Sequence, residues 1–192
     1  MASQTTTTTV HAGHQSTITP SSSPGLVFLA RLLPALDSLA ADPASRLLGG
    51  GDDWLLAADA VFTTNANAPN PVATVLTQLA RRGERLARFE RDLHCAWDVA
   101  AAAAPPSSSS SQLRRTVLYE STSTTVFLGD ALAREAKVRE FSVLELRLKE
   151  GRSAGGGAGA GAEDWELVEI RTVMDPSPVT VLAQAIIASN KK

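Results

Sequence analysis

The sequence predicts one α+β domain in which helices precede a curved antiparallel sheet. Apolar residues recur at spacings of three and four in the first part of the chain, as on one face of a helix. Four later runs have strand character, and short or flexible connections make them an antiparallel meander. Helices segregated ahead of such a sheet are typical of an α+β fold. The chain has 192 residues, the length of one domain with tails.

The first helix is predicted to begin at Pro24, with Ser23 as its N-cap. Its apolar face consists of Leu29, Leu32, Leu33, Leu36, Leu39 and Ala40. Pro34 lies inside this pattern, so we expect a kink or a break there. A short second helix over 54–58 follows Asp52 and Asp53, which can cap it, and 60–64 has the pattern of a short strand.

A third helix is predicted after Asn70, and a small closing helix over 179–187. The third helix has an apolar stripe, and its solvated side carries Arg81, Arg82, Glu84 and Arg85. The four long strands are predicted at 89–99, 115–128, 137–148 and 165–174. We expect residues 24–190 to form the single domain.

Three segments have compositions that rarely pack into a core. Residues 1–23 are rich in Thr and Ser and are predicted to be a disordered tail. The Ala/Pro/Ser-rich segment 100–112 and the Gly/Ala-rich segment 151–162 are predicted to be flexible loops between strands. Strand-like runs flank both, which indicates loop tips within one domain.

Charge and cysteine content exclude several classes of partner. The formal net charge is −2 and the isoelectric point is near 5.9, so neither nucleic acid nor an anionic membrane is expected as a partner. Cys95 is the only cysteine, which rules out an intramolecular disulfide and favours a reduced, cytoplasmic setting. No secretory leader or membrane span is predicted near the start.

Several segments of the sequence resemble segments of fungal members of the nuclear transport factor 2-like (SnoaL-like) superfamily. They are DAVFTTNANAP from Asp59, HCAWD from His94, RTVLYESTSTTVFLGD from Arg115, VREFSVLEL from Val138 and LVEIRTVMD from Leu167. The resemblance implies a cone-shaped curved sheet with the N-terminal helices packed on its concave face. It also implies an apolar small-molecule pocket, with proton abstraction, isomerisation, cyclisation, dehydration or epoxide hydrolysis in those members that are enzymes, and a homodimer paired through the outer sheet face.

The candidate site residues are the polar side chains of the strands that could face such a pocket. His94 and Asp98 lie four apart on one strand, which would place them on one face, and either could act as a general base. Tyr119 or Arg171 is the candidate partner for a developing oxyanion. The candidate ligand-binding residues are Trp97, Glu120, Glu140 and Glu169. A β-bulge would exchange the two faces partway along a strand.

A structural interpretation competes with this site. Alternating Glu and Arg on antiparallel strands commonly form cross-strand pairs on an outer surface, which would account for Glu140, Glu145, Arg147, Glu169 and Arg171. No spacing indicates a metal site, and no cofactor is expected. The leading hypothesis is therefore a cofactor-free isomerase, cyclase or dehydratase of secondary metabolism. The alternative is a non-catalytic ligand-binding or dimerisation scaffold.

Overall fold

The computed structural model describes residues 6–49, 54–100, 113–150 and 161–189. The helices within these ranges are α1 (Pro24–Asp37), α2 (Ala44–Leu47), α3 (Val72–Gly83) and α4 (Ser177–Ser189). The strands are β1 (Thr7–Ala12), β2 (Leu56–Thr64), β3 (Asn70–Pro71), β4 (Leu86–Ala100), β5 (Arg114–Phe127), β6 (Ala136–Leu148) and β7 (Trp165–Met174). Short 3₁₀ turns lie at Gln15–Thr17 and Ala162–Asp164. Among these described helices, none is long and apolar enough to cross a membrane.

One curved, open sheet holds all seven strands of the described residues, in the order β1-β4-β5-β6-β7-β2-β3. Neighbouring strands are antiparallel except β2 and β7, which run parallel. β4 to β7 match the four strands predicted from the alternating pattern to within a few residues at each end. The predicted α+β class, with helices on the concave face of a curved sheet, is confirmed.

Helix α1 fills one end of the concave face. Its buried apolar residues are Leu26, Phe28, Leu29, Leu32, Leu33 and Leu36. They belong to one core together with inward-facing residues of the sheet, which include Leu93, Ala96, Val117, Leu144, Leu146 and Leu167. The helix continues through Pro34 to Asp37. Burial of this apolar face against the sheet is the main favourable contribution to the fold.

A β-bulge in β4 exchanges the two faces of that strand. Leu93 pairs with Ser121, but Cys95 already pairs with Glu120, so His94 is an extra residue. Phe89, Arg91 and Leu93 therefore face inward before the bulge, whereas Ala96 and Asp98 face inward after it. The prediction that His94 and Asp98 share one face is wrong for this reason.

Two sequence predictions of the first 60 residues are corrected. The predicted disordered tail contains β1, which pairs with β4 from Thr7 opposite Ala100 to Ala12 opposite Cys95. Threonine favours extended backbone, and without β1 this edge of β4 would be unpaired. The predicted helix over 54–58 is also wrong, because these residues lead into β2. The short helix is instead α2, where Asp42 accepts hydrogen bonds from the backbone N–H groups of Ala44 and Ser45.

The remaining predictions on chain flexibility lie mostly outside the described residues. The structure does not describe residues 1–5 or the loop segments 101–112 and 151–160. It also does not describe Asp52 and Asp53, which were predicted to cap a helix. Helix α3 and helix α4 occupy the positions predicted for the third and the closing helix, each slightly longer than the apolar pattern indicated.

Candidate functional site

A cavity of about 620 Å³ lies between helix α3 and the inner face of the sheet, at the end that α1 leaves open. Its walls are mostly apolar and include Phe62, Val75, Leu79, Phe89, Val138 and Ile170. A volume of this size is within the usual range of small-molecule sites, which combine apolar walls with a few polar groups. The polar groups here are concentrated on β4, β5, β6 and the end of α3.

Arg91 bridges two buried carboxylates at the base of the cavity. Its Nη1 lies 2.5 Å from Asp37 Oδ1 on the last residue of α1. Its Nε lies 3.2 Å from Glu140 Oε2 on β6. All three side chains are at most 12% exposed. The network therefore connects the first helix to the centre of the sheet and places a carboxylate, Glu140, on the cavity wall.

Two polar residues of β5 complete this base. Ser123 Oγ donates a hydrogen bond of 2.6 Å to Glu140 Oε1, so both oxygens of that carboxylate have a donor. Tyr119 is almost fully buried on the same face of β5 and also lines the cavity. It is the only tyrosine of the chain. A carboxylate, a guanidinium and a phenol thus meet beside an apolar space.

Burial and charge set the protonation of this base. Burial raises the pKa of Asp37 above its usual value, against the lowering effect of Arg91 and then Arg82. Burial lowers the pKa of Arg91, but the neighbouring Tyr119, Asp37 and Glu140 together raise it above its ordinary value. Burial likewise raises the pKa of Tyr119. At neutral pH Arg91 is therefore a cation and Tyr119 a neutral phenol able to donate a hydrogen bond.

The structure brings only two of the eight sequence-predicted site residues to this cavity. Tyr119 and Glu140 line it. The six that do not are His94, Trp97, Asp98, Glu120, Glu169 and Arg171. Five of these lie on the outer face of the sheet, and Asp98 lies at the other end of the inner face. The bulge at His94 turns Trp97 outward and Asp98 inward, whereas His94 faces outward by alternation with the buried Leu93.

The outer-face residues make cross-strand pairs, as the structural interpretation of the sequence proposed. Arg171 of β7 lies 3.5 Å from Glu145 of β6 and the same distance from Glu169. His94 Nε2 lies 2.8 Å from Thr122 Oγ1 on the neighbouring strand.

Two more of the predicted residues belong to this face. Glu120 forms an ion pair of 2.5 Å with Arg139. Trp97 is half-buried opposite Leu118. Exposed pairs of this kind contribute little to stability and do not converge on a cavity.

Asp98 has a structural role at the start of α1. Its Oδ2 accepts a hydrogen bond of 3.0 Å from the backbone N–H of Gly25 and one of 2.5 Å from Arg115. A Cβ atom on Gly25 would lie only 2.5 Å from Asp98 Oδ1, so glycine is required for this approach. The carboxylate accepts a hydrogen bond from an N–H group that has no partner within the first turn of α1. Its negative charge also interacts favourably with the positive N-terminal end of the helix.

The sequence analysis missed Asp37, Arg82, Arg91 and Ser123 as site residues. Arg91 alternates with Phe89 and the buried Leu93, and this pattern indicates an inward arginine. Arg82 was predicted to be on the solvated side of α3. Its guanidinium instead donates a hydrogen bond to the Leu36 carbonyl oxygen and lies 4.1 Å from the centre of the Phe89 ring. Within the described residues, no group of three or more His, Cys, Asp or Glu could hold a metal ion.

Comparison with known proteins supports the fold. No family model matches the chain, and no curated protein matches it by sequence. A conserved protein from Planctomyces limnophilus aligns with a TM-score of 0.50 and 14% identity, over 78% of this chain and 91% of that one. The BvnE pinacolase from Penicillium brevicompactum aligns with a TM-score of 0.50 and 11% identity, over 86% and 95%.

A third solved structure carries the name of the predicted superfamily. It is a putative SnoaL-like polyketide cyclase from Jannaschia, with a TM-score of 0.47 and 12% identity over 85% of this chain and 93% of that one. Solved structures that align with the chain thus include members of the nuclear transport factor 2-like and SnoaL-like superfamily, at low identity. The fold and the cavity define a pocket-bearing α+β domain.

Proposed function

We propose that this protein binds an apolar small molecule in the cavity and catalyses a cofactor-free proton transfer on it, as an isomerase, cyclase or dehydratase. The observation that carries the proposal is the Arg91 bridge between Asp37 and Glu140 at the base of an apolar cavity. Ionisable groups placed beside apolar walls are where acid and base chemistry is usually found. BvnE, which aligns with the chain, is named a pinacolase, and this likeness supports the proposal only by analogy, since a fold does not fix a function.

Glu140 is the proposed general base and Tyr119 the proposed hydrogen-bond donor. Ser123 and Arg91 hold the Glu140 carboxylate in one orientation, which lowers the entropic cost of aligning it with a substrate C–H or O–H group. The neutral Tyr119 phenol would donate to a carbonyl or hydroxyl oxygen of the same substrate. The Arg91 cation would stabilise negative charge that develops there.

The test is turnover of a mixture of apolar carbonyl and hydroxyl compounds, followed by mass spectrometry. The wild type should convert at least one compound without an added cofactor. Glu140→Gln keeps the size of the side chain and removes the base, so the rate should fall by about 100-fold or more. Glu145→Gln on the outer face of the same strand is the matched control and should retain the wild-type rate. Equal rates for wild type and Glu140→Gln would contradict the proposal.

One observation favours the alternative of a non-catalytic ligand-binding scaffold. Both Glu140 oxygens already have donors within the protein, so the network is complete without a substrate. A scaffold would bind a compound and release it unchanged, and the compound would still raise the melting temperature. A compound that stabilises the protein and is recovered intact after long incubation would favour this function.

We also infer a homodimer paired through the outer face of the sheet. Trp97, Leu118 and Val143 lie side by side across β4, β5 and β6 on that face. Val173 of β7 is 62% exposed and extends the apolar surface. Sedimentation at micromolar concentration should show a dimer for the wild type and a monomer for Leu118→Lys. A monomeric wild type would contradict this inference.

A further inference from the structure

The charged residues that line the cavity are mainly arginines. They are Arg81, Arg82, Arg85, Arg91 and Glu140. Because Arg91 is already paired with Asp37 and Glu140, the other three arginines carry the excess positive charge. The chain as a whole has a net charge of −2. The positive charge is therefore local to the cavity, where the apolar walls strengthen its field.

Arg82 has an unused hydrogen-bond donor in this wall. Its guanidinium contacts the Leu36 carbonyl oxygen and the Phe89 ring, but its buried Nε has no hydrogen-bond partner. Burial, and then the charge of Arg91, lower the pKa of Arg82 to about 10, so it remains a cation at neutral pH. A buried donor without an acceptor is costly, so the position of the Arg82 side chain is not explained by hydrogen bonding within the protein.

Arg81 and Arg85 lie beside Arg82 at the opening of the cavity. Both are exposed and line the cavity, and within the described part of the chain neither has a carboxylate within ion-pair distance. A basic residue such as Arg81 in the last turn of α3 is explained by the favourable interaction of a cation with the negative C-terminal end of a helix. This interaction does not account for Arg85, which lies beyond the helix, or for the unpaired Nε of Arg82. Together we name Arg81, Arg82 and Arg85 the arginine rim.

We propose that the arginine rim binds the anionic end of an amphipathic ligand, a carboxylate or a sulfonate, whose apolar body fills the cavity. This inference rests on the proposed binding of a small molecule in that cavity and specifies its chemical class. Arginine offers several N–H groups in a planar arrangement that matches a pair of anionic oxygens. Glu140 opposes this binding little, because the Arg91 cation beside it offsets its charge.

The test compares two fluorescent probes with the same aromatic body. Anilinonaphthalene sulfonate carries an anionic group, whereas N-phenylnaphthylamine is neutral, and both brighten in an apolar site. The wild type should bind the sulfonate about 10-fold more tightly than the neutral probe, as expected for one good charge-assisted contact. The double variant Arg81→Gln/Arg85→Gln should remove most of that preference and leave the affinity for the neutral probe within about twofold.

Arg114→Gln is the matched control, since Arg114 is an exposed arginine that does not line the cavity. It should retain the preference of the wild type. If the neutral probe binds and the sulfonate binds no better, or if the double variant retains the preference, the arginine rim is not an anion site and the cavity proposal stands. If neither probe binds the wild type, both the cavity proposal and the anion site are overturned.

Discussion

The guanidinium of Arg91 lies 2.5 Å from the carboxylate of Asp37 and thereby fixes the end of the first helix to the fourth strand. The same guanidinium contacts Glu140 on the sixth strand. One side chain thus supports a helix, orients a proposed base and supplies the charge at the base of the cavity. Substitutions in this network should separate its structural contribution from its chemical one.

Arg91→Met should destabilise the protein strongly. The substitution leaves Asp37 and Glu140 buried without their ion-pair partner, so the free energy of unfolding at neutral pH should fall by about 3–5 kcal/mol. Arg139→Met removes an exposed ion pair with Glu120 and should cost less than about 1 kcal/mol. Urea denaturation of the two variants measures the difference. Equal costs would contradict a buried network at Arg91.

Tyr119 should ionise at a higher pH than an ordinary tyrosine. Burial raises its pKa in the folded state above the usual value of a tyrosine. Because the folded pKa exceeds the unfolded one, the associated stability is fully present below the unfolded pKa and is lost as pH rises through the folded pKa. Tyr119 is the only tyrosine, so tyrosinate absorbance reports on it alone. Native and urea-unfolded protein should titrate at different pH, and a shared midpoint would refute burial of the phenol.

Asp98→Ala should act on stability, not on ligand binding. It removes the partner of Arg115 and of the Gly25 N–H group, so the free energy of unfolding should fall by about 3 kcal/mol or more. His94→Ala removes an exposed contact and should change it by less than about 0.5 kcal/mol. Neither variant should alter the affinity for N-phenylnaphthylamine. If a folded His94→Ala variant no longer binds the probe, His94 is part of the ligand site.

The strands were predictable from the sequence because their alternating apolar residues extend over ten or more positions. The residues of the cavity were less predictable, since one inserted residue at His94 exchanges the two faces of β4. No local signal marks a bulge in an otherwise regular run. The prediction therefore placed His94 and Asp98 on the same face of the strand, and it did not include Arg91 among the site residues.

Distance along the chain also limited the prediction of the site. Asp37, Arg91 and Glu140 come from a helix and two strands that are about 50 residues apart in sequence. Their meeting depends on how α1 packs across the sheet, which a residue pattern alone does not specify. Glu140 was included as a polar strand residue that could face the pocket, and it lies on the cavity wall.

Deletion of residues 1–12 should lower the melting temperature. The deletion removes β1 and exposes the edge of β4 along the six residue pairs from Thr7 to Ala12. A loss of about 2–8 °C is expected for a chain of this size if the strand contributes about 1–2 kcal/mol. Thermal denaturation with light scattering measures both the loss of stability and any association through the exposed edge. An unchanged melting temperature would show that β1 is not held in the sheet.

We infer that the cavity between α3 and the sheet holds a small molecule. A substitution that fills this cavity should therefore abolish ligand binding. Val138 lines the cavity, whereas its neighbour Lys137 is exposed on the opposite face of β6. Val138→Trp should occupy the space that a ligand needs, and Lys137→Trp is the matched control. Circular dichroism establishes that both variants are folded.

The measurement is the fluorescence titration of N-phenylnaphthylamine into the wild type and the two tryptophan variants. The wild type and Lys137→Trp should bind the probe with the same affinity and one site per chain, and Val138→Trp should show no saturable binding. Equal binding by all three proteins, or no binding by the wild type, would contradict a ligand site in this cavity.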